Sequence, residues 1–165
     1  MATISVSSGS YIKPYRNVRV RQFLVDVSQT VRIGDPMVLS ADSDEGNRIK
    51  VASADPATDR AFVGFAAEAI TTTATHNSTT DKILVWLAEE RAEFKVHVVD
   101  SHAIDNDDIS VRYGIASDGT NNIWRLDRTE TSATVFKVLE LLDEHGDVNG
   151  RLVVQVIAPE RLYGD

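Results

Sequence analysis

The side chains of this sequence that could carry proton or metal chemistry are four histidines, His76, His97, His102 and His145, and 25 aspartates and glutamates. Acyl transfer needs a nucleophile, a base and an orienting acid together in space. Ser101 and His102 are neighbours in the chain, but adjacent side chains of an extended segment point to opposite faces. His97 follows Glu93 and Lys95 in strict alternation and reads as a solvated histidine. The densest acid cluster is Asp100, Asp105, Asp107 and Asp108, with His102 among them. Such oxygens could hold calcium, but the glycine and glutamate that complete an EF-hand loop do not fall in place, so the cluster reads as a solvated acidic loop. Residues 42–46, Asp-Ser-Asp-Glu-Gly, read the same way. Asp118-Gly119-Thr120 has the residues of an aspartic-protease motif in the wrong order. There is no phosphate-binding glycine loop, dinucleotide fingerprint or zinc helix. Nothing selects two acids for glycoside hydrolysis. The expectation is a protein without catalytic residues, cofactor or metal.

Binding chemistry is better represented. Residues 1–34 carry Lys13, Arg16, Arg19, Arg21 and Arg32 against one acid, Asp26. That segment is +4, which leaves −12 for the remainder of a chain whose net charge is −8. One reading makes these bases the solvated face of a strand. The other makes them a docking segment for an acidic partner, where charge sets register and encounter rate. Tyr11, Tyr15 and Tyr163 lie outside the obvious core strands. They pack over a barrel end or anchor a partner, since tyrosine is enriched at interfaces. The expected partner-binding residues are Tyr11, Lys13, Tyr15, Arg16, Arg19 and Arg21. The acidic balance speaks against nucleic acid, which needs a concentrated basic surface.

The elements that would position these groups are strands. Val18 and Val20 alternate with Arg19 and Arg21, and the apolar phase then flips to Phe23, Val25 and Val27. That flip predicts either a bulge or a strand that crosses between two environments. Gly34-Asp35-Pro36 predicts a turn before a strand at residues 37–39. Ile49 and Val51 predict a short strand, and residues 62–70 a buried one. Residues 71–80 form a polar loop whose Asn77-Ser78-Thr79 matches a glycosylation acceptor by chance. Residues 83–88 are apolar on both faces. Ala92, Phe94, Val96 and Val98 bury one face only. Ile109, Val111 and Tyr113 predict a strand ending at Gly114, with a hairpin turn over residues 118–122. Residues 135–142 fit helix or strand by spacing, and the turn-rich loop after them favours strand. Nine or ten short strands with turns every 8–12 residues predict an all-β fold, a barrel (β-tulip-like) or a sandwich. An extended N-terminal arm over residues 1–15 would precede a single β domain over residues 16–165.

With 165 residues, 42% of them hydrophobic, one domain can bury a core without staples. There is no cysteine, so disulfides, thiolate metal sites and cysteine nucleophiles are excluded together. No apolar run approaches the roughly 18 residues of a membrane span. Residues 1–10 lack a charged-then-apolar leader pattern, so neither secretion nor a membrane partner is expected.

Tyr113-Gly114-Ile115, then residues 123–127 (Ile-Trp-Arg-Leu-Asp) and residues 133–139 (Ala-Thr-Val-Phe-Lys-Val-Leu), resemble the C-terminal half of tailed-bacteriophage head decoration, or cement, proteins. Residues 31–39 and 63–66 resemble their earlier barrel strands. The resemblance runs thinly from Val31 to Ile157. It implies a β-barrel or β-tulip domain on the outer surface of an icosahedral capsid, with the major capsid protein as partner. It further implies a homotrimer that braces joints between capsomers. A different class of reading is a β-sandwich carbohydrate-binding or tail-associated adhesion module, with Trp86 and Trp124 as a sugar platform. Both tryptophans sit among apolar strand residues, which favours core packing.

Overall fold

The computed structural model describes residues 1–4, 11–40, 48–52, 61–98, 102–117 and 123–157. These residues form thirteen strands and one 3-10 turn, residues 106–108. The all-β expectation holds. The expected hairpin turn at residues 118–122 lies outside the described residues, as do Tyr163, Ser101, Asp100 and the 42–46 cluster.

Five strands close a barrel in the order β2 (Val20–Val25), β5 (Arg48–Val51), β4 (Pro36–Leu39), β6 (Phe62–Ala66) and β8 (Lys82–Leu87). Only the β2–β5 pair is parallel. Closure leaves no free edge to be paired. Phe23, Val25, Met37, Ile49, Val63, Ile83, Val85 and Leu87 fill the barrel. A short ribbon of β3 (Thr30–Val31) and β7 (Ile70–Thr71) lies beside it.

The second unit of the fold is a six-stranded sheet. Its order is β1 (Lys13–Arg16), β9 (Glu93–His97), β13 (Arg151–Val156), β12 (Phe136–Leu141), β10 (Arg112–Ser117) and β11 (Trp124–Asp127). A parallel bridge between Val98 and Leu126 ties the chain just beyond β9 to β11, so the sheet curls on itself. Its apolar side, with Phe94, Val96, Ile115, Phe136, Leu152 and Val154, shares one core with Phe62 and Phe65 from β6. Phe65 is fully buried at that junction. Its ring centroid lies 5.3 Å from Phe62, 5.0 Å from Phe94 and 5.8 Å from Phe136. These spacings suit edge and offset aromatic contacts.

Some local expectations hold and others change. The phase flip in β2 is a change of environment: β2 pairs with β8 from Val20↔Trp86 to Leu24↔Lys82 with no break in register. Val18 packs against the shared core while Phe23 and Val25 enter the barrel. Residues 136–141 are the expected strand, β12, and their helix-like spacing comes from a bulge: Val138 pairs with Val154 and Glu140 with Val153, so Leu139 is the extra residue. Ile109 and Val111 are exposed and precede β10, which runs through Gly114 to Ser117. Leu84, on the outer side of β8, is exposed, and Trp86 and Trp124 sit half-buried at the core margin.

Candidate partner-binding surface

Residues 13–16 form the edge strand β1 of the six-stranded sheet. Lys13 pairs with Lys95, Pro14 with Phe94 and Arg16 with Glu93. Ile12, just before β1, is 1% exposed and belongs to the shared core. Residues 2–4 pair with the loop at Val148, through Ile4 N–H to Val148 O and Val148 N–H to Ala2 O, both 2.8 Å. The boundary expected between residues 15 and 16 therefore falls inside β1. Residues 5–10 are outside the described set.

The six residues singled out in the sequence divide into two groups. Tyr11, Lys13, Tyr15 and Arg16 gather along β1. The Tyr11 ring stacks on Trp86 at 6.5 Å with 16° between planes, and Lys13 Nζ lies 4.8 Å over Tyr11. Tyr15 is flanked by two cations, Arg16 at 4.4 Å and Lys95 Nζ at 4.6 Å from its centroid. Arg16 also donates to the Tyr15 hydroxyl at 2.9 Å, and it lies 3.4 Å from Glu93 and 3.7 Å from Glu140. Cation–π contacts at exposed sites contribute about 0.5–1 kcal/mol each, so they hold the tyrosines in place without hiding them.

Arg19 and Arg21 sit elsewhere, at one mouth of the barrel. They share strand parity with Phe23 and Val25, which point inside. Arg19 clamps Glu89 with two hydrogen bonds of 2.7 and 2.5 Å, and the Arg21 guanidinium lies 5.5 Å from the Phe23 ring centroid. With Val20 and Leu87 these residues line a shallow hollow of about 240 Å³. Lys95 was missed in the sequence. Its place on the polar parity of β9 was visible, but its approach to Tyr15 depends on strand register.

Of the expected acidic loop, Asp107 is exposed and Asp105 partly buried, but Asp108 is not solvated. Asp108, read as solvated, is fully buried. It accepts from the Tyr113 hydroxyl at 2.7 Å, from Arg128 Nη2 at 2.8 Å and from the Asp105 N–H at 2.8 Å, which completes a capping box on the 3-10 turn. Asp26 binds the Ser40 hydroxyl and the Val27 N–H, with His76 Nε2 at 3.8 Å. Burial works to raise the Asp26 pKa, but Ser40, Val27, His76 and Arg48 together hold it below the ordinary range. Here the carboxylate stands between serine and histidine, so the histidine has no serine proton to take. His97, expected to be solvated, is half-buried with Nδ1 3.0 Å from the Asn149 carbonyl. That carbonyl can only accept, so Nδ1 donates, and burial pushes the imidazole pKa down. Among the described residues, no group of three histidines or acids is placed to hold a metal ion. No described helix is long and apolar enough to cross a membrane.

No protein-family model matches the chain, and no curated protein matches it. The class that the fold defines is an all-β protein, a five-stranded barrel sharing a core with a curled six-stranded sheet.

Proposed function

We propose that this chain is a non-enzymatic viral structural protein that binds the outer surface of a tailed-bacteriophage capsid and stabilises the head by bridging capsomers. The observation that carries the reading is β1. It is the outermost strand of the six-stranded sheet and presents Lys13, Tyr15 and Arg16 side by side. An edge strand offers backbone groups to an incoming strand, and cations beside fixed aromatics suit an acidic protein lattice. The resemblance quoted above adds support, since its segments correspond to β3, β4, β6 and β10–β12. Self-association into a trimer belongs to the same reading and rests on the resemblance alone. The sugar-platform alternative gains nothing, because Tyr11 stacks on one face of Trp86.

The test is co-sedimentation of the purified chain with capsids assembled from the major capsid protein of the same genome. Saturable pelleting and a higher melting temperature of the decorated heads are expected. No pelleting at any ratio overturns the reading. Deleting residues 2–15 is a poor probe, because it removes the buried Ile12 and most of β1. Lys13→Glu with Arg16→Glu tests the strand while leaving the core intact.

A further inference from the structure

The sheet registers place charges that are scattered in sequence on one surface. β1, β9, β13, β12 and β10 pair so that Arg16, Glu93, Gln155, Lys137 and Arg112 form a single row across five strands. A second row runs Lys13, Lys95, Val153, Glu140. Beside them, His97 pairs with Arg151, whose guanidinium is held by Asp143 at 2.6 Å. Their strand neighbours Phe94, Val96, Phe136, Tyr113, Leu152 and Val154 point into the shared core, so by alternation the rows occupy the opposite side. Val153 is 1% exposed there and belongs to neither core cluster.

This surface differs in charge from the rest of the molecule. Arg16, Lys13, Lys95, Lys137, Arg112 and Arg151 face three acids, Glu93, Glu140 and Asp143, a balance of +3. The rest of the chain then carries −11 of the net −8. Arg16 is matched by Glu93 and Glu140, and Arg151 by Asp143. Lys137 and Arg112, next to each other in register, make no ion pair among the described residues. Juxtaposed like charges without acids are unfavourable in an isolated sheet, and an incoming carboxylate removes that repulsion.

We infer that the outer face of the six-stranded sheet is a docking surface for a carboxylate-bearing protein surface, with Lys137, Arg112, Lys95 and Lys13 as its cationic contacts. Charge complementarity selects the partner. A basic face on an otherwise acidic molecule orients the approach so that only this side meets an acidic surface. Glu93 and Glu140 interrupt the rows. A phosphate backbone, with negative charge at every step, would meet those two acids, whereas a protein surface of mixed charge can match them. This deepens the capsid-binding reading and rests on it for the identity of the partner, but the face is testable without it.

The experiment compares wild type, Lys137→Glu/Arg112→Glu, the milder Lys137→Ala/Arg112→Ala, and the control Lys82→Glu/Arg91→Glu, which changes exposed charges off the sheet. Each is checked for an unchanged thermal melt and titrated against capsids, poly-L-glutamate and duplex DNA. The reversal pair should weaken capsid and poly-L-glutamate binding by roughly tenfold or more, the alanine pair less, and the control by under about twofold. If the reversal pair melts early, the alanine pair decides. Capsid binding that is equal for the face variant and wild type overturns this inference and leaves the capsid reading standing. If wild type ignores capsids, that reading falls, and poly-L-glutamate decides the inference: equal weakening by face and control variants overturns it. Tighter binding to DNA than to poly-L-glutamate overturns the protein assignment.

Discussion

At the scale of single residues, buried and paired aspartates set how the fold responds to pH and to substitution. Asp35 is 4% exposed and accepts the Arg32 N–H at 2.7 Å in the turn before β4. Burial pushes its pKa up to about 6, the Arg32 hydrogen bond and charge offsetting only part of the effect. An unfolded aspartate titrates near about 3.9. Between about pH 4 and pH 6 the folded protein therefore holds a proton that the unfolded chain has released. Its contribution falls as pH rises through that window and is constant above it. His97 works in the opposite sense below about pH 6.5, because burial disfavours its charged form. Asp26 and Asp143, whose pKa values are lowered, add stability above about pH 4 that is lost only at more acid pH. The difference between wild type and Asp35→Asn isolates the Asp35 effect. In urea unfolding from pH 4 to pH 7, the variant should gain on wild type as pH rises, by on the order of 2 kcal/mol. A constant difference would contradict it. Asp108→Ala acts in the other direction. It strands the Tyr113 hydroxyl and the Arg128 guanidinium, and a loss of roughly 3 kcal/mol is expected by the same measurement.

At the scale of elements, close approach of strands is decided by Gly64. A Cβ at this position would stand 2.0 Å from the Trp86 carbonyl oxygen, and the backbone φ is +153°. β6 can therefore lie against β8 only with glycine here. Gly64→Ala should lower stability by several kcal/mol, on the order of 3, and broaden the amide NMR signals of β6 and β8 first. Gly34, at φ +86°, closes the turn that carries Asp35, and a Cβ there would come within 2.7 Å of Tyr11 Cβ. The turn before β4 thus packs on the entry to β1. Period-two alternation made most strands readable, β9 and β13 above all. It misled at Ile109 and Val111, which alternate correctly but have no core to face, and at Leu84, whose apolar side chain lies on the outside of a closed barrel.

At the scale of the whole molecule, barrel and sheet are joined by one aromatic cluster, and Phe65 is its centre. The two units should unfold in a single transition, with calorimetric and van't Hoff enthalpies in agreement. Phe65→Ala removes the ring at the centre of the core that β6 shares with the sheet and should cost roughly 3–5 kcal/mol. Loss of cooperativity in that variant, with the barrel and sheet melting separately, would show that Phe65 carries the coupling. Two well-separated transitions in wild type would contradict a shared core.

The all-β class, the strands around Phe94, Val96 and Val98, the turn at Gly34-Asp35-Pro36 and the cationic bias of the first 34 residues were determined by the sequence itself. Each follows from local chemistry: alternation, turn preference and side-chain charge act within a few residues. The tertiary structure alone decided that Lys13, Lys95, Lys137 and Arg112 share a face, that Arg19 and Arg21 lie apart at the barrel mouth, and that Asp108 is buried. Those outcomes depend on which strands pair and in what register, a choice made by burial of side chains far apart in the chain. A shift of one residue in any of those pairings would turn a strand's cations from the outer face into the core.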